Sequence, residues 1–181
     1  MILQNLDLVM KNKVNDLKSA LDSALTYLSR RALTYYELET RLEKKGYSET
    51  EIAEAMVRVK GWGYVNDRAL AVSFAQTKLV SYSLKRVKQE LIKRGIAVEL
   101  IDEVLEEIYE PEQELTQCID LAKKMWSEEG RRWESSYQYK KTYMHIPREP
   151  FLKQKIGQKL MQKGYPQEII RQALYESSRW N

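Results

Sequence analysis

Apolar positions recur along this chain in one spacing, written three times. The first copy reads Leu38-x3-Leu42-x3-Gly46-Tyr47-x4-Ile52-x3-Met56. It returns as Val87-x3-Leu91-x3-Gly95-Ile96-x4-Ile101-x3-Leu105 and again as Ile156-x3-Leu160-x3-Gly164-Tyr165-x4-Ile170-x3-Leu174. Apolar residues four apart stack on one helix face, so each half of the unit predicts a short amphipathic helix. The glycine falls where the first helix must stop, at the position that takes left-handed backbone angles without a Cβ penalty. Tyr47 with Leu42, Ile96 with Leu91 and Tyr165 with Leu160 then occupy the two positions that a Schellman cap brings together. A basic residue precedes each glycine: Lys45, Arg94 and Lys163.

Helix starts are written just as plainly. Thr34 with Glu37 forms a capping box, and Leu33 can staple against Leu38. Ser48 with Glu51 forms a second box. Upstream, Leu17, Leu21, Ala24, Leu25 and Leu28 make a helical stripe. In Gly61-Trp62-Gly63-Tyr64-Val65-Asn66-Asp67, two glycines close a helix, and Asn66 or Asp67 caps the next. Trp62 and Tyr64 are expected to pack between repeats, and Asp67 to act as a cap. Further helices are predicted near 67–80, 83–94 and 98–109, with Pro111 as a boundary. The step from Gly46 to Gly95 is 49 residues and that from Gly95 to Gly164 is 69, which places an insert within 127–150. Pro150 and Pro166 are expected at the first position of their helices. No stretch has the β-branched alternation of a strand.

The expectation is therefore an all-α chain of three tandem three-helix repeats forming an elongated, curved array. An N-terminal extension covers 1–16, and the repeats cover 17–66, 67–110 and 111–181. Each repeat is too small to hold much core alone, so neighbours should stack as in a solenoid.

Composition narrows the chemistry. With 43% hydrophobic and 31% charged residues the chain reads as soluble and globular, and it has no apolar run of membrane-spanning length. Met1 to Met10 opens apolar but lacks the leading positive charge and continuous apolar core of a secretory signal. A single cysteine, Cys118, excludes an intrachain disulfide and suits a reducing compartment, so a cytoplasmic location is expected. One histidine, His145, and one cysteine leave little for a metal or Cys/His catalytic site. No phosphate loop, dinucleotide fingerprint or nucleophile elbow is present, so neither enzyme activity nor a cofactor is expected.

Net charge is only +4, but its distribution is uneven. Lys85, Arg86, Lys88, Lys93 and Arg94 crowd ten residues against Glu90 alone, and Glu99–Glu114 then carries eight anions and no cation. The candidate partner- or DNA-binding set is those five cations with Lys44 and Lys45 in the first repeat and Lys163 in the third. Arg131, Arg132, Lys140 and Lys141 join it from the insert, where Trp133, Tyr137, Tyr139 and Tyr143 are interleaved. Cations mixed with aromatics suit a single strand; the same tyrosines equally suit a hairpin that covers the bundle. Lysines near a helix C-terminus are also favoured by the helix dipole alone. Thr34, Glu37, Gly46, Gly63, Asp67, Gly95 and Gly164 form the structural set.

Taken in order, Ser29-Arg30-Arg31-x-Leu33-Thr34-x2-Glu37-Leu38-x3-Leu42-x3-Gly46, then Gly63-Tyr64-Val65-Asn66-Asp67, then Glu90-Leu91-x3-Gly95-Ile96 resembles the RecX family of recombination regulators. Leu70, where the family usually carries phenylalanine, Ser83, where glycine is common, and the insert depart from its pattern. The resemblance implies a cytoplasmic modulator, mainly an inhibitor, of the RecA recombinase. Such a protein lies along the groove of the RecA–DNA filament and limits its growth, ATPase and strand exchange. It is expected to be a monomer. The rival readings are a protein that binds single- or double-stranded DNA directly and a helical adaptor for another protein.

Overall fold

The computed structural model describes residues 19–110, 112–140, 143 and 145–179. Among them all regular structure is helical: α1 (Ala20–Leu28), α2 (Tyr35–Lys44), α3 (Glu49–Gly61), α4 (Asp67–Leu79), α5 (Leu84–Lys93), α6 (Val98–Ile108), α7 (Glu112–Ser135), α8 (Arg148–Gln162) and α9 (Gln167–Ser178), with a 3-10 turn at Tyr137–Tyr139. The expected N-terminal extension 1–16 lies outside the described residues.

Local chemistry sets these boundaries. Thr34–Glu37 and Ser48–Glu51 close both arms of their capping boxes, and Ser19 with Asp22 does the same at α1. Leu33 and Leu38 are both buried in one cluster, as a staple requires. At the glycine stops the Tyr47 N–H reaches the Leu42 carbonyl at 3.4 Å, and the Tyr165 N–H reaches that of Leu160 at 3.3 Å. These are the Schellman bonds that satisfy otherwise orphaned carbonyls.

One open choice is decided and three local expectations need correction. Asn66, not Asp67, caps α4: its Oδ1 accepts the Ala69 N–H at 2.9 Å. Pro166 is the N-cap of α9 rather than its first residue, and Pro150 is the third residue of α8. Both are tolerated because the first turn's N–H groups have no intrahelical acceptor to lose. Trp62 and Tyr64 do not pack between repeats but stand 54% and 58% exposed, ring edge to ring face. The left-handed turn at Gly63 (φ 75°) carries them outward, and Val65 takes the buried position instead.

The chain gathers into two compact units. One holds the described residues up to Ala71 together with Lys93–Val98; the other holds Val72–Ile92 and the described residues from Glu99 on. The core of the first is Ala20, Ala24, Leu33, Leu38, Leu42, Ile52, Ala55, Met56, Val59 and Val65, which is the anchor set of α1–α3. That of the second runs from Cys118 and Trp126 on α7 through Leu152, Ile156 and Leu160 on α8 to Ile170 and Ala173 on α9. The Trp126 Nε1–H donates to Ser177 Oγ at 3.0 Å, so this large ring is buried without stranding its donor.

The insert extends a helix. α7 is 24 residues long against 9 for α1 and 13 for α4, and its final turns fall in the inserted stretch. Trp133, Tyr137 and Tyr143 then close on Phe151 of α8, with ring centroids 4.9–5.4 Å from it.

Candidate interaction surface

In the second and third repeats the basic residue before the glycine sits in a recurring joint. In the first unit, Thr34 Oγ accepts the Glu37 N–H at 3.0 Å and donates its own proton to the Arg94 carbonyl at 2.6 Å. The Arg94 guanidinium then grips Glu37 through two parallel bonds of 3.0 and 2.9 Å, with Arg31 a further 3.7 Å away. Gly95 is pressed so close to Tyr36 that a Cβ would lie 2.3 Å from Tyr36 Cγ. Asp67, which the sequence suggests as a cap for α4, caps α2 instead by accepting the Tyr35 N–H at 2.9 Å. Burial works against a charge on Glu37, but the Arg94 and Thr34 hydrogen bonds and the charges of Arg94 and Arg31 outweigh it. Its carboxyl is held below the ordinary carboxylate range.

The second unit repeats the joint with different atoms. Ser83 Oγ caps α5 by accepting the Arg86 N–H at 3.2 Å, and the Ser83 N–H donates to the Lys163 carbonyl at 3.0 Å. Lys163 Nζ donates to the Ser81 carbonyl at 3.0 Å and lies 4.6 Å from the centre of the Tyr82 ring. A Cβ on Gly164 would meet Ser83 Oγ at 2.6 Å and Arg86 Cβ at 2.7 Å. In both joints the glycine turn of one repeat seats on the N-terminus of the second helix of the repeat before it. The joint thus needs a capping hydroxyl residue, a basic residue and a glycine, one repeat apart. Gly46, in the first repeat, has nothing within 4 Å of its Cβ position. Lys45 there turns back onto its own repeat, with Nζ 2.5 Å from Ser23 Oγ.

The other cations of the candidate set have varied settings. Lys44, Lys45, Lys85 and Lys93 are exposed. Arg86 pairs with Glu90 at 3.0 Å, and Lys88 pairs with Asp102. Arg131 is exposed, Lys140 lies 5.6 Å over the Tyr137 ring, and Lys141 is outside the described residues. Arg132 reaches a residue that sequence reasoning missed. Glu129 is fully buried in α7 and takes Arg132 at 2.7 Å, Lys155 at 3.6 Å and Lys159 at 2.5 Å. Burial opposes its charge, yet Lys159, Lys155 and Arg132 together hold its carboxyl below the ordinary range. The signal was available in sequence: Glu129 lies three residues before Arg132, and Lys155 and Lys159 share one face of α8. The buried acid fastens the inserted turns to α8 through Lys155 and Lys159.

Among the described residues no cluster of metal-ligating side chains occurs, and no helix is long and apolar enough to cross a membrane. Cys118 is buried, and burial, with Glu114 nearby, pushes its thiol up to about 12.

Comparison with known proteins agrees with this architecture. The model of the first three-helix domain of RecX matches residues 20–58, that of the second 66–105 and that of the third 147–174. The chain belongs to the RecX family. The third match begins at Pro147, so the long α7 and its inserted turns lie outside it. Regulatory protein RecX of Caldanaerobacter subterraneus is 41% identical over 108 residues, covering 59% of this chain and 55% of that protein. Regulatory protein RecX of Bacillus licheniformis is 30% identical over 99% of this chain and 63% of its own length. The chain thus spans less than two thirds of these relatives. A crystal structure of RecX from Lactobacillus salivarius superposes with a TM-score of 0.64 at 24% identity, covering 88% of this chain and 95% of that one. A crystal structure of a regulatory protein RecX gives 0.57 at 22% identity, over 84% and 68%. These two likenesses establish the fold.

Proposed function

We propose that this chain regulates the RecA recombinase, mainly as an inhibitor. On this reading it binds along the groove of the RecA–DNA filament and limits protomer addition, ATP hydrolysis and strand exchange. The observation that carries the reading is the presence of all three RecX three-helix domains in order on one chain. Each repeat would contribute a few exposed cations, Lys44 and Lys45 from the first and Lys85 from the second among them, to acidic or phosphate-bearing surface. Contacts that are weak singly gain avidity when linked on one chain. The protein would act in the cytoplasm, as a monomer and without a cofactor.

The test is RecA's single-strand-dependent ATP hydrolysis titrated with this protein. Inhibition at well below one molecule per recombinase is expected, because one bound chain would halt many protomers. Unchanged hydrolysis at excess protein would refute the proposal. Charge reversal at Lys85 and Arg86 should weaken inhibition while leaving the circular dichroism intact.

A further inference from the structure

A cleft of about 250 Å3 opens in the second unit, lined by Phe74 and Lys78 of α4, Tyr82 of the connecting bend, and Arg86, Val87 and Glu90 of α5. Val87, 1% exposed, makes its floor. Neither aromatic ring is absorbed into the core; both are half-buried. Lys78 Nζ lies 5.8 Å from the centre of each ring, and Lys163 Nζ lies 4.6 Å from that of Tyr82. Two ring faces thus meet two ammonium groups at one place, with the Arg86 guanidinium held beside them by Glu90 at 3.0 Å.

We propose that this cleft binds a nucleotide, its base against Tyr82 and Phe74 and its phosphate on Lys78 and Arg86. A cation over a ring face near solvent marks a π-surface that a ligand can reach, and such contacts are individually weak. A base stacked there gains more than the ammonium loses, and the flexible lysine can transfer its charge to the phosphate. Three cations against one carboxylate leave an excess that suits an anion. The volume is below that of pockets for drug-sized ligands, which are about 300–1,000 Å3, and suits one ring system with its sugar. Phe74 and Lys78 lie four residues apart on one face of α4, and beyond its end the Tyr82 N–H donates back to the Lys78 carbonyl at 2.9 Å, which keeps the second ring beside them. The same chemistry is offered by a residue of a single strand and by a free nucleoside phosphate.

The experiment needs no recombinase, so it is independent of the regulatory reading. Binding of fluorescein-labelled oligo-dT is followed by anisotropy over a range of salt, with unlabelled ATP as competitor. Tyr82→Leu should weaken oligomer binding by about 5- to 150-fold, while Tyr82→Phe, which keeps the ring, should not. Lys78→Gln, on an exposed side chain, should reduce the slope of log affinity against log salt by about 0.7. Lys60→Gln, at an exposed position of α3 outside the candidate set, should leave the effect of Tyr82→Leu unchanged. Displacement of the oligomer by ATP would identify a free nucleotide as the ligand, and failure to displace would identify the strand. If Tyr82→Leu and Lys78→Gln bind like the parent, or if neither probe binds, the proposal is overturned. Should Tyr82→Leu prove misfolded by circular dichroism, Lys78→Gln decides alone.

Discussion

Replacing Gly95 by alanine separates the two demands that the structure makes on its capping glycines. Gly46 and Gly95 both have positive φ, 90° and 78°. An L side chain in that conformation costs about 1–2 kcal/mol at either site. Gly95 carries a second demand, because an added methyl would lie 2.3 Å from Tyr36 Cγ and 2.4 Å from Tyr36 Cβ. Those atoms are at the root of the side chain and cannot swing aside without moving α2. Overpacking of this kind adds about 1–3 kcal/mol. Gly95→Ala should therefore lose about 2–5 kcal/mol in all, and Gly46→Ala, with nothing within 4 Å, about 1–2 kcal/mol. Urea unfolding followed by far-ultraviolet circular dichroism measures both, with an unchanged m-value as the condition for comparing midpoints. Losses equal to within about 0.5 kcal/mol would show that the turn is not seated on α2, and the joint as described would be wrong.

Other outcomes follow from the same contacts. Glu37 and Arg94 should show a coupling of about 1–3 kcal/mol in a double-mutant cycle, since their side chains are only 18% and 19% exposed. Because the Glu37 pKa is lowered on folding, its contribution is complete above the unfolded value near 4.5 and is lost as pH falls through the folded value. Arg94→Gln should flatten that acid limb of the stability curve. Glu129→Gln should loosen the last turns of α7, raising their amide exchange rates at least several-fold while leaving α1–α3 unaffected; equal exchange would mean that this carboxylate does not fasten them to α8. Cys118, with its thiol raised to about 12, should resist a thiol reagent in the native protein and react fully in denaturant.

The helices, their caps and their stops were legible because each depends on residues within one or two turns. Thr34 with Glu37, Ser48 with Glu51 and the left-handed glycines are arrangements that neighbours along the chain impose on one another. The insert was legible as a length, 69 residues against 49, but not as a continuation of α7. Its fate depended on Phe151 and on the buried Glu129, which meets Lys155 and Lys159 from another helix. The cations were visible as a charge run, yet a run does not say what each charge faces.

What the sequence determined by itself was the count and type of the elements, the repeat and the anchor residues of each core, because helical periodicity and capping are short-range. Only the tertiary structure decided that Arg94 and Lys163 close joints, that Asp67 caps α2 across 32 residues, and that Trp62 and Tyr64 face solvent. A side chain's partner across tens of residues is set by which helices come to lie together, and that is a property of the packed core rather than of any window along the chain.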